Sequence, residues 1–268
     1  MELSSILHLS DFSKYKLHAA RKSGTVEPLI AFLRDRSEWH QWNSWQRNKN
    51  EFNRDRILSL IDFYPEHGEW LFGGIYEVQE RGPEKNAHSY VVKLLDHGQD
   101  LIGRLKLTGS LPRGRAFKLE TFYDNFKISE LLRTPYAGKV FDGYEKVSLD
   151  LSMLEIIYKN NRTDWKTALE SVKGIYLIAD KLTGKQYVGS AYGDTGIWAR
   201  WACYVNTGHG WNKELVKLTS NDPSYARTNF KITLIECWPF KTDDKTIIIR
   251  ENFWKEAFLT KQHGYNSN

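Results

Sequence analysis

Gly174-Ile175-Tyr176-Leu177-Ile178-Ala179, followed after a short polar interval by Gln186-Tyr187-Val188-Gly189-Ser190, is the stretch on which the fold of this 268-residue chain turns. Both flanks are rich in β-branched and aromatic residues. Asp180 to Lys185 between them holds Thr183-Gly184, which is turn material, so the segment predicts a β-hairpin. Tyr176 and Tyr187 stand eleven positions apart across its loop. Two tyrosines on a hairpin are ordinarily packing residues, and only their downstream partners give them further meaning.

Beyond the hairpin, the pattern changes to helical. A helix is predicted near Gly196–Asn206, packed through Ile197, Trp201 and Tyr204. Arg200 and Tyr204 are four apart and so neighbours on its surface. The loop Thr207-Gly208-His209-Gly210-Trp211 leads to a second helix from Asn212, then to a strand over Phe230–Cys237. A last helix runs from Thr246 to about Leu259, with Ile247, Glu251, Trp254 and Phe258 on one face. Glu251 interrupts an apolar stripe. A buried carboxylate must be ion-paired, protonated or metal-bound, because burying it alone is too costly.

Together these pieces resemble the GIY-YIG nuclease family. Gly174-Ile175-Tyr176 and Tyr187-Val188-Gly189 match its two name-giving triplets, with Val for Ile in the second. Ala199-Arg200-Trp201 matches the family's helical arginine, and Arg250-Glu251-Asn252-Phe253-Trp254 the helix with its metal-binding glutamate. Gly264-Tyr265-Asn266 matches the closing asparagine motif, so order and spacing agree over about 95 residues from Lys173 to the end. The resemblance extends to the catalytic domains of phage-encoded homing endonucleases within the family. Tyr204 departs from it, since many members carry His there. An earlier Gly74-Ile75-Tyr76 lacks every downstream partner and reads as strand sequence only.

The resemblance implies hydrolysis of DNA phosphodiester bonds with one divalent ion per active site, Mg²⁺ or Mn²⁺, held by Glu251. A single marked carboxylate suits such an ion, which keeps several waters. Arg200 would fork onto the phosphate. Tyr176 is the expected general base, with Tyr187 and Lys185 beside it. An ordinary Tyr with a pKa near 10 is well under 1% phenolate at neutral pH, so Lys185 stays an alternative base. Gly174, Gly189, Tyr204, His209 and Asn266 are read as supporting residues, Asn266 as a buttress and His209 as a loop or phosphate contact. A paired His/Asn site and an Asp with Glu-x-Lys on a strand pair, the marks of other nuclease types, are both missing from the sequence.

The first 165 residues speak a different language. The first sixty read as helical, through Leu29, Ile30 and Leu33, and then through Phe52, Ile57, Leu58 and Ile61. From Trp70 onward, Leu71–Val78, Ser89–Leu95, Leu101–Leu107, Phe117–Tyr123 and Glu145–Leu149 read as short strands. Turns at Gly82-Pro83, Asp96-His97-Gly98 and Leu111-Pro112-Arg113-Gly114 separate them. A helix is expected at Leu151–Lys159 and a linker at residues 159–164, with Asp164 capping a short helix after it. The class is therefore α+β. An N-terminal α+β domain (1–162), a curved sheet or small β-barrel, precedes a GIY-YIG α/β sandwich (163–268) with a three-stranded sheet and flanking helices.

Charge and aromatic content distribute unevenly. Aromatics make 14% of the chain, with ten Trp, and the formal charge is +5. Residues up to Trp165 carry a net +1 and those from Lys166 a net +4, so the excess lies with the motifs. Trp39, Trp42 and Trp45 recur every third position and share a helix face, as core or as a base-stacking surface. Arg104, Lys106, Arg113 and Arg115 are candidate phosphate contacts. An aromatic barrel is similar, by fold analogy alone, to PUA-like readers of modified bases, which hold an extruded base.

Two cysteines exclude a disulfide framework or a Cys-rich zinc cluster. No apolar run approaches the roughly 18 residues of a membrane span, so a cytoplasmic protein without membrane contact is expected. Its partner would be double-stranded DNA. The expected enzyme is a restriction-type endonuclease whose N-terminal domain selects a sequence or a modified base. Alternatives are a mobile-element, homing-like or repair nuclease that reads a long site or a DNA structure, and an inactive DNA-binding module. One active site cuts one strand, so a double-strand break needs a homodimer or two visits.

Overall fold

The computed structural model describes residues 1–22, 27–45, 49–82, 90–194 and 196–267. It divides into two compact units, Met1–Tyr136 and Ala137–Asn268. Pro83 of the turn read at Gly82-Pro83 and the strand start read at Ser89 lie outside the described residues. No helix among the described residues is long and apolar enough to cross a membrane.

The N-terminal unit runs β1 (Tyr15–Ala20), α1 (Pro28–Arg34), α2 (Arg36–Ser44), β2 (Arg56–Asp62), β3 (Glu69–Arg81), β4 (Tyr90–Leu94), β5 (Leu105–Thr108), β6 (Ala116–Lys118), α3 (Leu119–Phe122) and β7 (Lys127–Leu131). Its strands form one curled mixed sheet in the order β6-β1-β2-β3-β5-β7, with β4 also paired to β3. Only β1 and β2 are parallel among the pairs, which is why two helices lie between them in the chain. Of the two architectures expected here, the curved sheet is the one formed, with β6 and β7 at the ends of its strand path.

Three local expectations change. Ile57, Leu58 and Ile61 are strand β2 and not a helix. Five consecutive β2 residues are buried, and a run buried on both faces loses the alternation that would mark a strand. Tyr15–Ala20 is likewise a strand within a stretch read as helical. Phe117–Tyr123 is a three-residue strand that turns at once into α3.

The C-terminal unit runs β8 (Ser148–Asp150), α4 (Leu151–Lys159), α5 (Thr163–Glu170), β9 (Val172–Asp180), β10 (Gln186–Ala191), α6 (Gly196–Thr207), α7 (Lys213–Thr219), α8 (Tyr225–Asn229), β11 (Phe230–Pro239), α9 (Asp244–Ala257) and α10 (Thr260–His263). Its sheet has four strands, β10-β9-β11-β8, all antiparallel, where three were expected. The fourth is β8, whose Leu149 pairs with Ile232. Sequence alone assigned that segment to the preceding domain, with the division at 162/163. The contacts divide the chain at 136/137, because β8 and α4 pack on β11 and α6. Asp164 does not cap α5. Its carboxylate pairs with Arg162 at 2.7 Å and accepts the Phe141 N–H at 2.9 Å.

The hairpin is pinned from its turn by a buried carboxylate, Asp180, 1% exposed. Its Oδ2 accepts hydroxyls from Thr183, Tyr225 and Tyr265 at 2.7, 2.9 and 2.7 Å, and Oδ1 accepts the Leu182 N–H. Burial pushes the Asp180 pKa up, but the hydrogen bonds from Tyr265, Thr183 and Tyr225 outweigh it and leave it below the ordinary value. A depressed carboxyl pKa contributes stability above the unfolded-state value near 4 that is lost as pH falls through the folded value. Asp180→Asn is therefore expected to cost at least about 2 kcal/mol at pH 7, since hydrogen bonds to an ionised group are worth ~1.5–3 kcal/mol each. In urea titrations, the gap from the parent protein should narrow below pH 4. A gap that stays constant to pH 3 would contradict this account.

Candidate active site

Strand alternation sorts the hairpin's side chains onto two faces. Tyr176, Ile178, Tyr187 and Ala191 pack with Trp201 and Tyr204 of α6 in the main core. Ile175 and Val188 pack instead with Ile247 of α9, with Leu177 and Trp254 beside them. The two name-giving tyrosines thus face α6, and Glu251 comes from the helix on the opposite face.

On the α6 face the sequence candidates converge. Arg200 Nε donates to the Tyr176 hydroxyl at 3.0 Å, and Nη2 donates to the Tyr204 hydroxyl at 3.2 Å. The two hydroxyls lie 3.1 Å apart. Arg200 Nη1 donates to the carbonyl of Gly210 at 3.0 Å, which ties the α6–α7 loop to the cluster. Tyr176 and Tyr204 are fully buried. Burial pushes the Tyr176 pKa well up, with the neighbouring Tyr187 adding to it and Arg200 pulling it back. Tyr204 is raised for the same leading reason. Both are neutral hydroxyls at neutral pH as the fold stands.

Two glycines make this packing feasible. Gly189 pairs with Tyr176 across the hairpin, and a Cβ there would fall 2.6 Å from the Tyr176 ring and hydroxyl. The ring lies over the space a side chain would fill. Gly210 has φ +55, and a Cβ on it would meet the Tyr204 ring at 2.5 Å. Gly174 sits where a Cβ would strike the Glu236 carbonyl at 2.6 Å, beside the bulge in β11.

On the other face, Glu251 is mostly buried, with its side chain 15% exposed. Ser190 Oγ donates to its Oε2 at 2.6 Å, and the buried Lys255 ammonium stands 3.0 Å from Oε1. The carboxylate in the apolar stripe is thus ion-paired one turn along its own helix. Ile247 and Trp254 pack on one face as expected, and Phe258, 38% exposed at the helix end, continues it by stacking on Trp254 with ring centroids 5.1 Å apart. The Glu251 carboxylate makes its contacts with Ser190 and Lys255 and none with the Arg200 cluster. The strand β10 joins the two, with Tyr187 and Gly189 on one side and Ser190 on the other.

A divalent ion is tested by that donor set. No group of three or more His, Cys, Asp or Glu side chains that could hold a metal occurs among the described residues. A carboxylate has about four lone-pair positions, and Glu251 uses two. The remaining capacity fits an ion with one protein ligand and several waters, the habit of Mg²⁺.

The other candidates fall apart from one another. Lys185 is exposed, its ammonium 5.8 Å over the Tyr265 ring, without a contact to Tyr176. Asn266 is buried and grips the outer edge of β10 with both amide atoms. Its Oδ1 accepts the Val188 N–H and its Nδ2 donates to the Val188 carbonyl, each at 2.9 Å. His209 Nδ1 accepts the Trp211 N–H at 3.0 Å, which shapes the loop that carries Gly210. Sequence reading missed Ser190, Lys255 and the Gly210 carbonyl. Lys255 was the most accessible of these, since Glu-to-Lys at four apart is a standard helical pair.

In the N-terminal unit, Lys106 is not a free phosphate contact. It is buried and bonded to Glu130 at 3.0 Å and to Glu66 at 2.5 Å. Arg104 is spent on the carbonyls of Leu132 and Asp100. Arg115 pairs with Glu51 and holds the carbonyls of Trp42 and Trp45. Arg113 stays exposed. The tryptophan stripe also divides. Trp39 is core, 1% exposed, and its Nε1 donates to the Gly73 carbonyl. Trp42 and Trp45 are half-buried in the wall of a cavity.

No protein-family model matches the chain, and neither does any curated protein. Two solved structures are similar to part of it. One is the catalytic domain of intron endonuclease I-TevI in a point-mutant form. It is 28% identical over 36% of this chain and 94% of that one, with a TM-score of 0.29. The other is the catalytic domain of homing endonuclease I-TevI, 30% identical over 36% of this chain and 98% of that one, with a TM-score of 0.28. Both are endonuclease catalytic domains.

Proposed function

We propose that the chain is a DNA endonuclease of the GIY-YIG type, whose C-terminal unit hydrolyses a phosphodiester bond at the edge of β10. The observation that carries this reading is the bonding of Arg200 to both Tyr176 and Tyr204 beneath Gly189. Tyr176, Gly189 and Arg200 of that cluster lie in the segments that resemble the family's motifs, and Tyr204 stands where many members carry His. β10 is an edge strand. Tyr265 and Asn266 cover its outer edge at Gln186 and Val188, so a phosphodiester would lie beyond them at Gly189–Ser190, with Arg200 toward one face and Glu251 toward the other.

The residues' chemistry is set by their free valences. A guanidinium has five N–H donors, and Arg200 uses three within the fold, so two are left for a phosphate oxygen. Those donors would stabilise charge gathering on the pentacoordinate phosphorus. Tyr176 would first lose its own proton to solvent. The phenolate would then take a proton from the attacking water as that water's oxygen bonds to phosphorus, the bond to the 3′ oxygen breaks, and the leaving oxygen takes a proton from solvent. Arg200 already donates to the oxygen that would become phenolate, which supports the anion. Glu251 would hold Mg²⁺ or Mn²⁺, which when bound polarises the phosphate and supports the leaving oxygen.

The restriction-type part of the reading rests on the N-terminal unit. It has a complete sheet and core of its own and would choose the DNA that the C-terminal unit cuts. Incubation with Mg²⁺ and plasmid or phage DNA, unmodified and carrying modified cytosines, tests both parts. The parent protein is expected to cut at least one of these, and EDTA to stop it. Glu251→Ala should cut at least about 100-fold more slowly. No cleavage of any substrate leaves an inactive DNA-binding module. Equal cleavage of all leaves a nuclease without selection by modification.

A further inference from the structure

Trp211, in the loop between α6 and α7, is 74% exposed, whereas the chain's other tryptophans are all buried or half-buried. Its backbone has φ +66, in the left-handed region. Bulky side chains are rarely found there, and holding one there costs free energy. An exposed indole adds little packing to offset that cost, so the fold alone does not account for its place.

The neighbouring residues fix the loop in this conformation. Thr207 Oγ1 accepts the N–H groups of His209 and Gly210, at 3.2 and 2.9 Å. His209 Nδ1 accepts the Trp211 N–H at 3.0 Å, and its ring meets the indole edge-on with centroids 5.2 Å apart. On the C-terminal side, Asn212 caps α7, its Oδ1 accepting the N–H groups of Glu214 and Leu215. The carbonyl on the N-terminal side of Trp211, that of Gly210, accepts from Arg200 Nη1 at 3.0 Å. Standard peptide dimensions then place the Trp211 Cα within about 7 Å of that nitrogen. A DNA strand rises about 3.4 Å per nucleotide, so the indole stands a step or two from a phosphate on Arg200.

We infer that Trp211 is a DNA-contacting residue, its indole packed against a base within about two nucleotides of the phosphate that Arg200 holds. Aromatic side chains displayed beside a phosphate site take up bases by stacking, or part a base step as a wedge. Every base has a π-face, so this contact sets how the strand sits in the site and reads little sequence. Gly210 links the two contacts, since its carbonyl is held by Arg200 and its peptide bond carries Trp211. The inference rests on the endonuclease reading and adds to it a contact from a loop outside the family-like segments.

The test uses the full chain in EDTA, where binding is measured without cleavage. The duplex is one that the parent protein cuts in Mg²⁺ or, if none is cut, one of mixed sequence. In fluorescence anisotropy, Trp211→Ala should bind at least about fivefold more weakly, the low end of what one base–aromatic contact supplies. No phosphate charge is involved, so the factor should stay the same from about 50 to 200 mM salt. Trp211→Gly should lose as much affinity while its thermal midpoint equals or exceeds the parent's, because glycine accepts the positive φ. A second measurement needs no variant. With each thymine replaced in turn by 5-iodouracil, irradiation should crosslink the DNA to Trp211, and in a cut duplex only within about two nucleotides of the cut. A smaller loss, a loss that varies with salt, a Trp211→Gly midpoint below the parent's, or crosslinks that map elsewhere overturn the inference. Cleavage in Mg²⁺ without a Trp211 crosslink removes this inference alone. A Trp211 crosslink without cleavage of any duplex removes the endonuclease reading alone.

Discussion

Arg200→Lys should lower single-turnover cleavage at least about 100-fold, and Arg200→Ala about 1,000-fold or more. Removing one donor to a developing oxyanion costs about 10²–10³ in rate. An arginine placed on a transferring phosphoryl group is worth ~10³–10⁵. Arg200 also holds three acceptors at once, the hydroxyls of Tyr176 and Tyr204 and the carbonyl of Gly210. A lysine keeps the charge but offers one point in place of a fork, so it cannot serve the three acceptors and a phosphate together. Both variants should also lose stability, by about 1–3 kcal/mol for each buried acceptor left unpaired. Cleavage rate and denaturant midpoint are therefore measured on the same preparations. Folded Arg200→Lys protein that cuts within tenfold of the parent would remove Arg200 from the chemistry and leave it a strut.

The legibility of these residues in the sequence tracks their physics. α6 and α9 could be read because each carries one face toward a core and helical period survives in the residue order. The hairpin, buried on both faces, was marked instead by its β-branched and aromatic flanks and its Thr183-Gly184 turn. Arg200 and Tyr204 could be paired because four residues on a helix are one turn. β2 could not be read, since both its faces are buried and its pattern carries no period. β8 was visible as a strand but not as a member of the second sheet, because pairing between Leu149 and Ile232 spans more than eighty residues. Glu251 was found as an anomaly in an apolar stripe. What the stripe could not tell is that the sheet stands between Glu251 and the tyrosines, since face assignment depends on how the helix docks. Lys106 looked like surface charge and is buried between two glutamates from other strands and turns, a partnership no local spacing encodes.

The pH dependence of cleavage should identify the base. A general base must be deprotonated, so the rate rises with pH until the group has titrated. An ordinary tyrosine is about 0.1% phenolate at pH 7. Burial raises Tyr176 above that ordinary value, while Arg200 opposes the rise. With Tyr176 as base, log rate in the parent protein should climb by about one per pH unit from pH 6 to 9 without a plateau. Tyr176→Phe keeps the ring over Gly189 and removes one oxygen, so the core should stay filled. The rate should fall by about 10²–10⁴, and the slope should flatten, since the remaining slow cleavage no longer waits for a phenolate. Lys185→Ala decides the competing assignment. Lys185 is exposed and lies over Tyr265, away from the cluster. Its removal should leave the slope intact and cost less than about tenfold. The reverse pattern, a flat profile in Lys185→Ala and a steep one in Tyr176→Phe, would transfer the proton to the lysine and require the hairpin loop to move toward β10 when DNA binds.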